Sequence, residues 1–137
     1  MDETISIVLF SGTDDKLQAA AVLTAGAAAL GRPVRILLQY WALDAFRAER
    51  IAADHGLAAE AGAAGKAAFE AAARAGHAHW TDNLRMAKEL GDVDIQACSQ
   101  SMDVLKLHQS DLDPLVDGVE GVAAFYVNAG EGQILFI

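Results

Sequence analysis

Cysteine is nearly absent from this 137-residue chain, in which Cys98 is the only one. A single thiol closes no internal disulfide, and the amino terminus has neither the basic start nor the apolar core of an export signal, so the expected compartment is cytoplasmic. Basic residues are scarce too, 10 against 19 acidic, and no Lys/Arg cluster occurs. That argues against a phosphate-dominated nucleic-acid surface and favours solubility and basic partners. Long apolar runs are missing despite a hydrophobic fraction of 53%, because Arg32, Arg47, Arg50 and Arg74 interrupt each stretch before it reaches membrane-spanning length. The expectation is therefore no nucleic acid and no membrane. Much of the apolar fraction is alanine, and its surplus points modestly to an oligomer. One domain, residues 1–137, is long enough to bury a core without disulfides or structural metal.

The residues that are present alternate between strand and helix patterns. Thr4–Phe10 is a β-branched and aliphatic run ending at Ser11-Gly12, where a strand passes into a loop. A helix with many small residues follows from Asp14 or Asp15 to Leu30, and Gly31 ends it. Pro33–Tyr40 reads as a second strand. Leu43, Phe46 and Ile51 then lie on one face of a helix predicted over Ala42–Asp54. Leu57–His79 is an Ala/Gly-rich excursion with few large side chains; Gly65–Arg74 has helical propensity but little to bury. Thr81 is expected to cap an amphipathic helix with Leu84, Ala87 and Leu90 inward, stopped by Gly91. Val93–Cys98 is the third strand. A short helix near Ser101–Leu107, an extended piece at Val116–Val119, a helix over Gly121–Ala129 and a last strand at Gln133–Ile137 complete the chain.

Such alternation implies an α/β fold: a flavodoxin-like three-layer α/β/α sandwich with a mainly parallel sheet of about five strands. Sites in such sheets lie beyond the carboxyl ends of the strands. Three loops converge there, Ser11-Gly12-Thr13-Asp14-Asp15, Tyr40-Trp41 and Cys98-Ser99-Gln100. Cys98 thus falls on the functional edge, where N–H groups opening a helix can stabilise a thiolate. A free cysteine is also commonly a small buried hydrophobe, so packing is the alternative. Tyr40 and Trp41 serve either as an apolar wall beside the thiol or as filling of the core rim. The Asp14-Asp15 pair more simply starts a helix than holds magnesium. His77-x-His79 is too loose a spacing to specify a metal, and no metal is expected.

Phe10-Ser11-Gly12-x-Asp14-Asp15-Lys16, Gly26-Ala27-Ala28-Ala29-Leu30-Gly31, Tyr40-Trp41-x-Leu43, Ala97-Cys98-x-x-Ser101-Met102-Asp103-Val104, Leu115-Val116-Asp117-Gly118-Val119 and Leu135-Phe136-Ile137 resemble the DsrE/DsrF-like sulfur-relay family. The resemblance is strongest to small stand-alone members labelled peroxiredoxin-like. It implies a cytoplasmic sulfur carrier or sulfurtransferase that holds a persulfide on Cys98, works with sulfur donor and acceptor proteins, and forms a homo- or hetero-oligomer. It calls for no cofactor. Many relatives carry a Met- and Gly-rich segment where Leu57–His79 stands here, a departure that bears on partner choice.

One cysteine suffices for sulfur transfer, since the thiolate takes a donor's terminal sulfur and later releases it to an acceptor thiol. Backbone N–H groups of Ser99, Gln100, Ser101 and Met102 are the expected stabilisers, with Ser11, Gly12, Tyr40 and Trp41 as pocket residues. None of His55, His77, His79 and His108 is adjacent to the thiol in sequence. Two other functions use the same residues: a peroxiredoxin-like thiol redox enzyme, which needs a resolving thiol from outside, or a non-catalytic interaction or regulatory module.

Overall fold

The computed structural model describes residues 3–137. Strands β1 (Ile5–Leu9), β2 (Val34–Leu38), β3 (Val93–Cys98), β4 (Gly118–Glu120) and β5 (Gln133–Phe136) form one sheet in the order β4-β3-β2-β1-β5. All its pairings are parallel. Helices α1 (Asp14–Ala29), α2 (Tyr40–Ala45), α3 (Gly62–Arg74), α4 (Trp80–Leu90), α5 (Ser99–Leu105) and α6 (Val122–Ala129) lie between the strands. The architecture is the α/β sandwich that strand and helix alternation implies.

The strand order dictates how the helices are distributed. From β1 through β2 and β3 to β4 the chain steps steadily toward one edge, so right-handed crossovers put the intervening helices on one face. The return from β4 to β5 runs the other way across the sheet, which puts α6 alone on the opposite face. The registers Ile5↔Val34↔Val93, Ile7↔Ile36↔Ile95 and Leu9↔Leu38↔Ala97 align three apolar rows beneath the first group of helices. The alternate residues Ser6, Val8, Arg35, Leu37, Asp94, Gln96 and Cys98 form the α6 face, where Leu37, Cys98 and Phe125 make a small separate cluster with Val8 against it. The sandwich is thus thick on one side and thin on the other.

Small residues explain the tightest helix contact. Ala20, Ala21, Thr24, Ala27 and Ala28 on α1 are buried, as are Leu84 and Ala87 on α4. A Cβ on Gly91 would stand only 3.3 Å from Ala28 Cβ, so glycine lets the end of α4 approach α1. Thr24 satisfies its hydroxyl on the Ala20 carbonyl at 2.8 Å.

Several predicted boundaries move. The helix expected over Ala42–Asp54 ends at Ala45 because the next residues are captured by tertiary pairing: Arg47 bridges to Leu112, and Ala48 N–H donates to the Asp111 carbonyl. Leu43, Phe46 and Ile51 are nevertheless all buried. The cap of α4 is His79 rather than Thr81, with His79 Nδ1 accepting from Thr81 N–H. Leu90, expected inward, is 60% exposed; the face of α4 that carries Leu84 and Ala87 meets α1 next at Gly91, and Leu90 lies to its side. The excursion does contain a helix, α3, but it buries none of its residues.

Candidate functional site

At the carboxyl edge of the sheet, β3 ends in Cys98, which is also the N-cap of α5. Its φ of −69° and ψ of 122° keep it extended while the next residue turns helical. Alternation along β3 sends Ile95 and Ala97 to the main core and Cys98 to the thin face. There the thiol is 1% exposed, enclosed with Leu37 of β2 and Phe125 of α6. Sγ makes no capping hydrogen bond to α5. Gln39 Nε2 donates to it at 3.8 Å.

The residues named from sequence divide by side. Ser99 and Gln100, in the first turn of α5, are exposed; Ser101 and Met102 are buried, with Met102 in the main core away from the thiol. Ser101 Oγ is buried with no hydrogen-bond partner among the described residues. Ser11 and Gly12 are half-buried, and Gly12 fits against the following loop so closely that an added Cβ would meet the Trp41 carbonyl oxygen at 2.3 Å. Only glycine permits that approach. Tyr40 occupies the left-handed region, φ 38°, at the turn from β2 into α2. Such a conformation in a non-glycine residue costs on the order of 1–3 kcal/mol and persists where surrounding contacts enforce it. Its ring meets Phe10 edge-on at 5.8 Å, and Phe10 in turn lies 5.8 Å from Phe136. Trp41 is 57% exposed.

Sequence reasoning missed Gln39, Leu37, Val8 and Phe125. The first three were accessible through register: aligning Val34 with Val93 puts Leu38 beside Ala97, and so Gln39 beside Cys98. Phe125 was not, because its position depends on which face α6 crosses.

The thin face also carries charge. Glu120 pairs in register with Cys98 and accepts from Asn128 Nδ2 of α6 at 3.3 Å. Burial pushes the Glu120 carboxyl above the usual range and Asp94 adds to this, against the opposing pull of Asn128 and Arg35. Arg35 itself forks onto Asp92, Nη1 at 3.1 Å and Nη2 at 2.9 Å. None of the four histidines hydrogen-bonds Cys98. His55 and His79 flank Trp80 with ring centroids at 6.2 and 5.1 Å, and His108 N–H donates to Asp111. His77 lines a separate cleft of about 780 Å³ between α3 and the body, with Leu57, Phe69 and Trp80.

The Asp14-Asp15 pair serves the fold. Asp14 accepts from Trp80 Nε1 at 3.1 Å and from His55 N–H at 3.0 Å, while Asp15 accepts from Ala58 N–H at 3.2 Å. The start of α1 thereby fixes the loop that leads to α3. Burial works to raise the Asp15 carboxyl, but the nearby Thr13 hydroxyl and hydrogen bonds from the Ala58 and Lys16 N–H groups hold it below its ordinary value. Among the described residues no group of three or more His, Cys, Asp or Glu side chains could hold a metal ion.

A parallel α/β sheet with an aromatic-lined carboxyl edge and one thiol at the exit of a central strand defines the class. The chain belongs to the DsrE/DsrF/DrsH-like family, whose model matches residues 1–67. It is 32% identical over 154 aligned positions to the uncharacterized protein YrkE of Bacillus subtilis (strain 168), covering 96% of this chain and 95% of that one. A solved structure, the protein of unknown function MTH1491 from Methanobacterium thermoautotrophicum, superposes with a TM-score of 0.56 over 99% of this chain and 100% of its own, at 13% identity. That likeness shows the fold. No helix among the described residues is long and apolar enough to cross a membrane.

Proposed function

We propose that this chain is a cytoplasmic sulfur carrier or sulfurtransferase that relays sulfane sulfur as a persulfide on Cys98. Family membership supports sulfur relay as the general class. The observation that carries the specific reading is the position of the one cysteine, at the carboxyl end of a central parallel strand where the loops after β1 and β2 also meet. In the reaction, the Cys98 thiolate attacks the terminal sulfur of a donor persulfide. The new S–S bond forms as the donor's own S–S bond breaks, and the donor leaves as a thiolate, so no outside oxidant or reductant is consumed. Reversal onto an acceptor thiolate discharges the carrier. Leu37, Val8 and Phe125 keep water from the stored sulfur. Exposed Ile134 and Phe136 on the edge strand β5 support self-association into a homo-oligomer.

Incubating wild type and Cys98→Ser with a polysulfide donor, followed by peptide mass spectrometry, tests the reading. The expected result is one added sulfur on the Cys98 peptide, removable by reductant. No gain, where a control carrier loads, refutes it. The near-complete burial of Cys98 favours one second reading, a non-catalytic interaction module in which the cysteine only packs. On that reading Cys98 resists alkylation at neutral pH even after long exposure.

A further inference from the structure

We propose that α6 is a lid over Cys98, flanked by glycine at both ends, Gly121 and Gly130, and that reagents reach the thiol when this helix lifts off the sheet while the rest of the fold stays intact. The sulfur is covered on its open side by Phe125 and little else of α6: only Phe125 and Ala129 of its eight residues are buried. The other six residues are exposed, among them Tyr126 at 61% and Val127 at 79%. A helix of that length is unstable alone and depends on the few contacts it makes. The opposite face of the sheet, by contrast, rests beneath several helices and a large continuous core.

The ends of α6 are built for a swing. Gly130 holds φ 58° and ψ −132°, a conformation open to glycine alone. Two residues on, Gly132 approaches the Thr4 carbonyl so closely that an added Cβ would stand 2.1 Å from its oxygen, which anchors the chain just beyond the hinge. At the other end Gly121, the N-cap without a side-chain capping bond, joins the helix to Glu120, the last residue of β4 and the register partner of Cys98, so the helix lifts only if both glycines turn. One polar latch spans helix and sheet, Asn128 Nδ2 to Glu120 Oε2 at 3.3 Å. Among the described residues the lid's side chains are held by one buried aromatic, one buried alanine and one hydrogen bond.

Its biological meaning rests on Cys98 being the sulfur-bearing residue, but the opening itself is measured without sulfur. Alkylation of Cys98 by iodoacetamide is followed by mass spectrometry in wild type, Phe125→Ala, Phe125→Leu, Asn128→Ala and Leu84→Ala, the last a buried residue of α4 on the other face. Local opening makes the rate proportional to the open population. Phe125→Ala is expected to raise the rate about ten- to a hundredfold and Phe125→Leu severalfold, and Asn128→Ala, which removes the latch but leaves Phe125 over the sulfur, severalfold as well. An unchanged rate in Asn128→Ala would mean that the Phe125 variants merely uncover the thiol, and would overturn the lid. Leu84→Ala lowers global stability and is expected to leave the rate within about twofold of wild type. Equal acceleration by Leu84→Ala and Phe125→Ala would mean that the thiol is exposed by global unfolding, and would overturn the lid. So would an unchanged rate in both Phe125 variants. Should Phe125→Ala fail to fold, Phe125→Leu together with wild-type amide exchange decides: residues 122–129 must exchange faster than β3. Accelerated alkylation without sulfur loading would sink the carrier and leave the lid standing.

Discussion

Replacing Gly12 by alanine should destabilise the protein by about 3 kcal/mol, near the upper end of what overpacking costs. The added Cβ meets the Trp41 carbonyl oxygen at 2.3 Å and its carbon at 2.7 Å. The first distance is more than an ångström short of the roughly 3.5 Å at which non-bonded atoms attract. Because both obstacles are backbone, no rotamer change relieves them. The loop after β1 or the start of α2 must move, and the second is already held by the left-handed Tyr40. Gly26→Ala supplies the opposite sign in the same protein. That residue is exposed inside α1, and nothing lies within 4 Å of an added Cβ, so the exchange should stabilise by about 0.5–1 kcal/mol through helix propensity. Urea unfolding at constant m separates the two. If Gly12→Ala fell within about 0.5 kcal/mol of wild type, or if both variants shifted the midpoint in the same direction, the close packing of these two loops would be refuted.

Other outcomes follow from the same contacts. Asp14→Ala strips the buried Trp80 indole of its acceptor; a loss of about 1–3 kcal/mol and altered tryptophan emission are expected, and unchanged emission would contradict the contact. Leu84→Ala should cost about 2–5 kcal/mol, whereas Leu90→Ala should stay within about 0.5 kcal/mol of wild type; thermal denaturation compares them. Acid has opposite effects on two groups. The Arg35 hydrogen bond, against some burial, holds Asp92 below its ordinary value, so its contribution is complete above the unfolded carboxylate range and is lost as pH falls through the folded value. Glu120 is raised, so its contribution is present at acid pH and lost as pH rises through the folded value. Glu120→Gln keeps the acceptor for Asn128 without the charge. It should therefore raise Tm at neutral pH, with the gain vanishing below about pH 4; a gain of equal size at both pH values would contradict the assignment.

Much of the fold was legible because local signals agreed with tertiary ones. Val93–Cys98 was read with its observed limits, and Gly31 and Gly91 end helices where their punctuation suggested. The alanine propensity that made Gly65–Arg74 a candidate helix produces α3 even with nothing buried. The failures share one cause. The early end of α2 comes from Leu112, far along the chain, and the uneven sandwich comes from strand order, which no local pattern encodes. For the same reason the site was half legible. Cys98 could be assigned to a strand end and its contact with Gln39 follows from strand register, but its enclosure by Phe125 depends on which face α6 crosses.

Sulfur transfer through Cys98 is decided by a single-turnover chase. Protein loaded with labelled sulfane sulfur is mixed with an acceptor thiol, and the label on the Cys98 peptide and on the acceptor is followed by mass spectrometry. Label should leave Cys98 and appear on the acceptor in equal amount, and Cys98→Ser should neither load nor transfer. Loading that survives Cys98→Ser, or label that stays on Cys98 when the acceptor is in excess, would contradict transfer through Cys98.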